Sequence, residues 1–495
     1  MPPAPPTYGD GGMPEGIGLE VSNGNPYYSI KRKKMKSLQS IILVGFAALS
    51  LTGCKSLYGK YERPQVNTSG IFRDPVSATD TLAVSDTTTL GSMPWREVFT
   101  DPQLQALIQK AIDNNPNMLN AALNVDMAEA QLKIAKLAFV PQFTFTPQGT
   151  ITRFNEATTR SYSLPVNASW NLSLFGGLTS AKRTQQMVLA QTRDYKRAVQ
   201  TSLVAGVANL YYTLLMLDKQ MEIVADMERL TKETWDIMKV QHQEIAGVRS
   251  TAVQAAESNY YSVLTQKKEL ERGIREAENS LSLMLGEPAH AIARGNLDNQ
   301  VLPTNLATGV GVQLLANRPD VHANEMSLAS CFHQVQYARS RFYPNITISG
   351  TGGFSNGSGM VNPGEWLASA VGSLVQPIFM NGQLTAGLRV AKDQYEQAFN
   401  TWQQSILQAG SEVSNALVQY NSSAEKSQIE AKQIEVLKRN VEDTRALMAS
   451  AGSTYLEVIG AESSLLNVQL SKVSDDLSKM QAVVTLYQAL GGGSY

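Results

Sequence analysis

The sequence predicts an α+β membrane protein in which strands of a transmembrane β-barrel join a long α-helical coiled coil, the whole unit being present twice. Three observations carry this. Residues 161–174 alternate strictly between apolar and polar. Leu203, Val207, Leu210, Leu214, Leu217, Met221 and Val224 step by four and three without interruption. Matching residue pairs recur, in order, at a spacing of 203 to 206.

Composition narrows the function classes. The 495 residues carry 42 basic and 43 acidic side chains, so no charge surplus points to nucleic acid. Of the two cysteines, Cys331 sits in a helical pattern as a small packing residue, and no zinc or redox spacing exists. His242, His290, His322 and His333 are scattered, with no pair at the i, i+4 spacing of a metal site. No Ser-His-Asp order, phosphate loop or paired carboxylates emerge. The chain reads as a non-enzyme with no cofactor or metal.

The N-terminus reads as an address. The basic run Lys31-Arg32-Lys33-Lys34-Met35-Lys36 precedes an apolar stretch from Ile41 to Leu51. That stretch is about half the ~20 residues a spanning helix needs, which fits an export signal over 35–53. Leu51-Thr52-Gly53-Cys54 resembles a bacterial lipobox. The resemblance implies a diacylglycerol on the Cys54 thiol, cleavage ahead of it and an N-acyl chain on the new terminus. Lys55 stands where an aspartate favours inner-membrane retention, so the outer membrane is open to it. Residues 1–34, rich in Pro, Gly and Tyr, read as an upstream extension, with Met35 the expected natural start.

Residues 54–95 read as an acylated tether and equatorial segment, 96–310 as repeat 1, 311–491 as repeat 2 and 492–495 as a tail. Asn115-Pro116 returns as Arg318-Pro319, Phe139-Val140-Pro141 as Phe342-Tyr343-Pro344, Ala246-Gly247 as Ala451-Gly452 and Glu257-Ser258 as Glu462-Ser463. Each unit reads helix, strand pair, long helix, break, helix. Residues 104–139 are helix-like, and Pro141 stops the helix.

The longest apolar stretch, 207–217, carries Asn209 and two tyrosines, so any membrane crossing must use a closed barrel. The strands are expected near 142–154 and 162–174, then near 346–355 and 366–379. The last two are weakened by Gly350, Gly352, Gly353 and Gly372. Four strands cannot close a barrel, because the smallest use about eight, and open edges in lipid are too costly. The chain should therefore oligomerise, two copies giving eight strands and three giving twelve.

The long helix should run from Leu178 to about Glu244, with no proline and with Gly206 its only glycine. At that length it spans about 100 Å, far more than a bilayer, so most of it stands in water.

The block Arg318-Pro319-Asp320 and its continuation Arg341-Phe342-Tyr343-Pro344-Asn345 resemble the outer-membrane efflux protein family, in its acylated branch serving resistance-nodulation-division pumps. Trp95-Arg96, Phe99, Asp101-Pro102, Asn114-Asn115-Pro116 and Tyr61-Glu62-Arg63-Pro64 add to it. The resemblance spans nearly all residues from 54 to 491. It implies a homotrimer whose twelve strands form one barrel in the outer membrane, over a hollow α-helical coiled-coil barrel in the periplasm. It further implies a periplasmic adaptor, or membrane fusion protein, linking the duct to an inner-membrane pump.

Two sets of residues are candidate working parts. Gly247, Val248, Arg249 and Ser250, with Gly452, Ser453 and Thr454, mark the hairpin tips. Glycine supplies the positive φ of tight helix-to-helix turns, and the family adds adaptor docking. Glu457 falls on the first acid of the family's post-tip block, and Gly460 stands where a second acid often sits. Three copies of Glu457 would form an acidic ring favouring cations. The expected function is passive conduction of small molecules exported by the pump. The alternatives are a duct for type I protein secretion and a lipid-tethered periplasmic coiled-coil protein.

Overall fold

The helix starts follow from three prolines. Pro102, Pro116 and Pro319 each occupy a first helical turn, where a missing N–H breaks no bond. Asp101 accepts from the Gln103 amide, and Asn115 accepts from the amides of Asn117 and Met118. These caps begin α1 (Pro102–Asn114) and α2 (Pro116–Leu137). The stretch expected as one helix over 104–139 is thus two, because Asn115 caps and Pro116 cannot donate. The computed structural model describes residues 59–65, 90–244, 249–301, 303, 318–356, 365–449 and 454–493.

After α2 come β1 (Gln142–Phe145), β2 (Gln148–Phe154) and β3 (Ala157–Leu172), then α3 (Gly177–Glu244) and α4 (Ser250–Met284). The second half runs α5 (Pro319–Ser340), β4 (Asn345–Ser355), β5 (Glu365–Val375), α6 (Gln383–Ala449) and α7 (Tyr455–Ala489). Helix lengths of 22, 68 and 35 residues in the first half face 22, 67 and 35 in the second.

The strands form one antiparallel sheet in the order β1-β3-β4-β5, with β2 also on β3. Five strand segments are present where four were expected. β1 and β2 hold one register on β3, from Gln142 opposite Ser169 to Phe154 opposite Ala157. Pro147 has no N–H to give the ladder and interrupts the strand, while the Thr146 amide still reaches the Pro165 carbonyl at 3.2 Å. They occupy a single strand position. A two-residue turn with Asn155 at φ +52° closes this hairpin. β3 starts at Ala157 and ends at Leu172, five residues before and two before the expected limits. β5 stops at Val375, not 379, since Pro377 cannot extend it. Gly353 is required, because a Cβ there would meet the Leu164 carbonyl oxygen at 2.3 Å.

At 68 residues α3 is about 100 Å long, and no helix among the described residues is apolar enough to cross a membrane. α3 packs against α2, α4, α5 and α7, while α6 packs against α5 and α7. The seam residues Leu203, Val207, Leu214 and Val224 are buried, as are Val413, Val441 and Met448 in α6. The largest apolar core lies midway along the helices. There Trp95, Phe99, Leu104 and Ile108 pack on Tyr211, Tyr212 and Tyr487. Lys60–Tyr495 forms one compact unit.

One asymmetry stands out. α5 is packed between α3 and α6, but its counterpart α2, among the described residues, packs mainly on α3 and touches α1 only where the two helices join. α2 leaves Leu119, Leu123, Met127, Ile134 and Leu137 exposed. α6 leaves Leu407, Val418, Ile429, Val436 and Leu447 exposed. The α6 set steps by 11, 11, 7 and 11 residues, which keeps one stripe along a nearly straight helix.

Candidate conduit: a two-faced sheet and the far end of the hairpins

The sheet register separates two chemistries. Directly paired residues in an antiparallel sheet point to the same face. Val166 is opposite Phe145 and Gly352, Leu164 opposite Phe354, Trp170 opposite Ile348, Phe354 opposite Trp366 and Ile346 opposite Leu374. One face is therefore aliphatic and aromatic at every strand position, with Arg153 and Arg160 on it only beside the turn, and most of its large apolar side chains are exposed. The other face carries Thr144, Asn167, Ser169, Thr347, Ser349, Thr351, Ser369 and Ser373, broken by Leu367, Val371 and Val375 toward the β5 edge, by Pro165, and by the Phe154–Ala157 pair beside the turn. Asn167 accepts from Thr351 Oγ1 at 2.8 Å and donates to Thr146 Oγ1 at 2.9 Å, a polar rung across three strand positions. A sheet of this kind has one face for lipid and one for water. Its outer edges, β1/β2 and β5, have no strand partner among the described residues.

At the far end of the long helices the two hairpins meet. Met238 of α3, Ala252 and Ala256 of α4, Met448 of α6 and Val458 of α7 form one buried cluster, flanked by Trp235 and Tyr455. Arg249 precedes α4 as its N-cap residue, Ser250 begins α4, and Thr454 precedes α7. All three thus lie at one end. Gly247, Val248, Gly452 and Ser453 fall outside the described residues, as does Cys54. Glu457 is exposed one turn into α7, and its carboxylate accepts from the Thr454 amide at 3.3 Å. That bond satisfies one of the free donors at a helix start.

The sequence reading missed a neighbouring acid. Glu462 of α7 is 0% exposed. Its Oε1 accepts from Thr234 Oγ1 of α3 at 2.9 Å, and Arg445 Nε of α6 lies 3.8 Å away. Arg445 also pairs with Glu233 of α3 at 3.1 Å, and Glu233 with Arg229 at 3.0 Å. Glu462 Oε2 has no hydrogen-bond partner among the described residues. Burial pushes this carboxyl above its ordinary range, more than Thr234 and Arg445 draw it down, and Glu233 adds to the rise. The signal in the sequence was its place four residues after Val458 and four before Leu466, on the apolar stripe of α7.

The Arg-Pro-Asp block is structural. Arg318, 6% exposed, forms a forked pair with Asp320 at 3.0 and 2.6 Å. It also reaches Glu412 at 2.7 Å and the Ala489 carbonyl at 3.2 Å. Farther along α5, Tyr61 lies edge-on to Phe332, and Arg63 forms a two-point pair with Glu325. Of the histidines, His322 pairs with Asp194 at 2.5 Å, and His333 is buried. No group of three or more His, Cys, Asp or Glu could hold a metal among the described residues.

Comparison with known proteins agrees with this geometry. The outer membrane efflux protein family matches residues 107–287 and 310–492. The chain is 28% identical to the cation efflux system protein CusC of Escherichia coli K12, covering 90% of this chain and 98% of that protein. It is 27% identical to the probable outer membrane lipoprotein SilC of Salmonella typhimurium, over 90% and 96% of the two chains. A crystal structure of CusC superposes with a TM-score of 0.77 at 25% identity, covering 88% of this chain and 99% of that one. The open-state MtrE outer membrane channel of Neisseria gonorrhoeae gives 0.79 at 24% identity, over 88% and 98%. The two-faced sheet, the two long hairpins and the matched sequence lead to one conclusion: this chain belongs to the outer membrane efflux protein family.

Proposed function

We propose that this outer-membrane efflux protein works as a homotrimeric, passive duct. Three duplicated chains would give twelve strand positions in one closed barrel, above a helical cylinder reaching into the periplasm. One observation carries the reading: each chain ends in two open sheet edges, and α2 lacks on one side the cover that α5 receives from α6. A second copy's α6, with its exposed Leu407–Val418–Ile429 stripe, supplies that cover. Its β5 continues the ladder beyond β1/β2. Closing the ring removes every edge, which the bilayer demands.

The wall facing the cargo is polar and almost uncharged, so it offers water and little selection. Relatives' names run from cations to toluene, antibiotics and pyoverdine. In this reading the inner-membrane pump chooses the cargo and supplies the energy, and an adaptor meets the tips near Arg249, Ser250 and Thr454. Cys54 carries the acyl anchor. Tyr61 lies seven positions after it, so an extended tether reaches at most about 25 Å from that contact. SilC, named a lipoprotein, supports the anchor.

The test is planar-bilayer recording of the purified, detergent-stable protein alongside its mass by light scattering. Three chains per particle and stable ion conductance are expected. A three-chain particle that never conducts would overturn the duct, and a one-chain particle would overturn the trimer. Replacement of Cys54 by serine should abolish palmitate labelling; retained labelling would remove the anchor.

A further inference from the structure

β3 and β5 finish alike but are received differently. Leu174-Phe175 leads into Gly176 at φ +80°, and Ile378-Phe379 leads, two residues later, into Gly382 at φ +79°. At the first exit Phe175 stacks on Tyr343, with ring centroids 5.0 Å apart and planes at 13°. Tyr343 lies in the connection from α5 into β4, and β4 is the strand paired with β3. The stack therefore closes the corner between one strand's exit and its neighbour's entry.

At the second exit the corner is open. Phe379 is 81% exposed and Ile378 95% exposed, although large apolar side chains are stabilised by burial. No strand follows β5 in the sheet among the described residues. The matching entry, Phe139-Val140-Pro141 before β1, stands at the opposite sheet edge, and Phe139 and Val140 are exposed too.

We infer that Phe379 of one copy seats on the Phe139–Val140 step of the next, repeating between chains the corner that Phe175 and Tyr343 close within one. The occupant is a second copy of this chain. The sheet has an unpaired edge at each of these two places, and the internal corner supplies the template. Val140 replaces Tyr343 in the template, so the contact is a ring on an aliphatic step instead of a ring stack. Met380 and Asn381, the two residues added before Gly382, give the second exit the extra reach. The inference rests on the trimeric reading and adds to it the residues that fix which edge meets which.

The test uses the full-length protein in outer-membrane vesicles, with Cys331→Ser removing the internal thiol. Phe379→Cys and Val140→Cys are combined in one chain and oxidised. Dimer and trimer bands on a non-reducing gel are expected for the double variant, and neither single variant should give the trimer band. Phe379→Cys alone should resist a lipid-soluble maleimide, as a seam would shield it. A particle of three chains with no cross-link, or rapid labelling of Phe379→Cys from the lipid, overturns the seam and leaves the trimer standing. A particle of one chain overturns both.

Discussion

Asn115 donates its side-chain amide to the carbonyl of Met284 at 2.9 Å, and 203 residues later Arg318 donates to the carbonyl of Ala489. Both targets are final helical residues, whose carbonyls lack a partner inside the helix. The start of one helix thus ties off the end of another in each half. Removing Asn115 with alanine loses this bond and the cap of α2. The expected cost is about 1–2 kcal/mol, read as a lower thermal dissociation temperature. Arg318→Met takes their shared partner from the partly exposed Asp320 and Glu412 and a donor from the Ala489 carbonyl, and should cost about 1–3 kcal/mol. An unchanged melt for both variants would show that these ties do not hold the fold.

The two sheet faces should answer oppositely to one substitution. Val166→Arg puts a charge on the apolar face and should cost roughly 2–4 kcal/mol if near the bilayer centre, with loss of heat-modifiable oligomer. Asn167→Arg, one residue on, faces the polar side. It should fold, and three copies should shift conductance toward anions. Equal loss of assembly in both variants would sink the assignment of faces.

Glu462 predicts a pH dependence. Its folded value is raised by burial, so the folded protein takes up this proton more readily than the unfolded chain. Its contribution is therefore complete below the unfolded value and is lost as pH rises through the folded one. Glu462→Gln keeps the shape, can still accept from Thr234, and carries no charge. It should raise stability at neutral pH by roughly 1 kcal/mol and flatten the pH profile of the melt. A Gln variant less stable than the parent at pH 7 would mean that the charged form, held by Arg445, is the native one.

Glu457 remains the candidate for an acidic ring. Glu457→Gln should lower cation preference in single-channel recordings. Because the carboxylate also accepts from the Thr454 amide, glutamine at this position should keep the start of α7 intact. Unchanged ion selectivity would remove Glu457 from any such ring.

Much of the architecture was legible because its periods are strict. A two-residue alternation at Tyr162 and Leu164 and a seam through Leu203 and Val207 leave few alternatives. The strand ends were less so, since Pro147 and Pro377 act on single ladder bonds that no period records. The Asn115 break was hidden inside a helical pattern, although Asn-Pro is its own signal. Glu462 was legible only as an acid on the Val458–Leu466 stripe. What neutralises it there was not, because Thr234 and Arg445 come from two distant helices. The conduit itself depends on pairing between strands far apart in sequence.

The open edges of β1/β2 and β5 also bear on genetics. In a three-copy ring each chain offers one edge to each neighbour, so a copy spoiled at either edge blocks every ring it enters. A cell making good and edge-defective copies equally would assemble only about one ring in eight from sound chains alone. An edge lesion such as a charge at Phe379 should therefore behave as a dominant allele. A chain that never folds would be recessive.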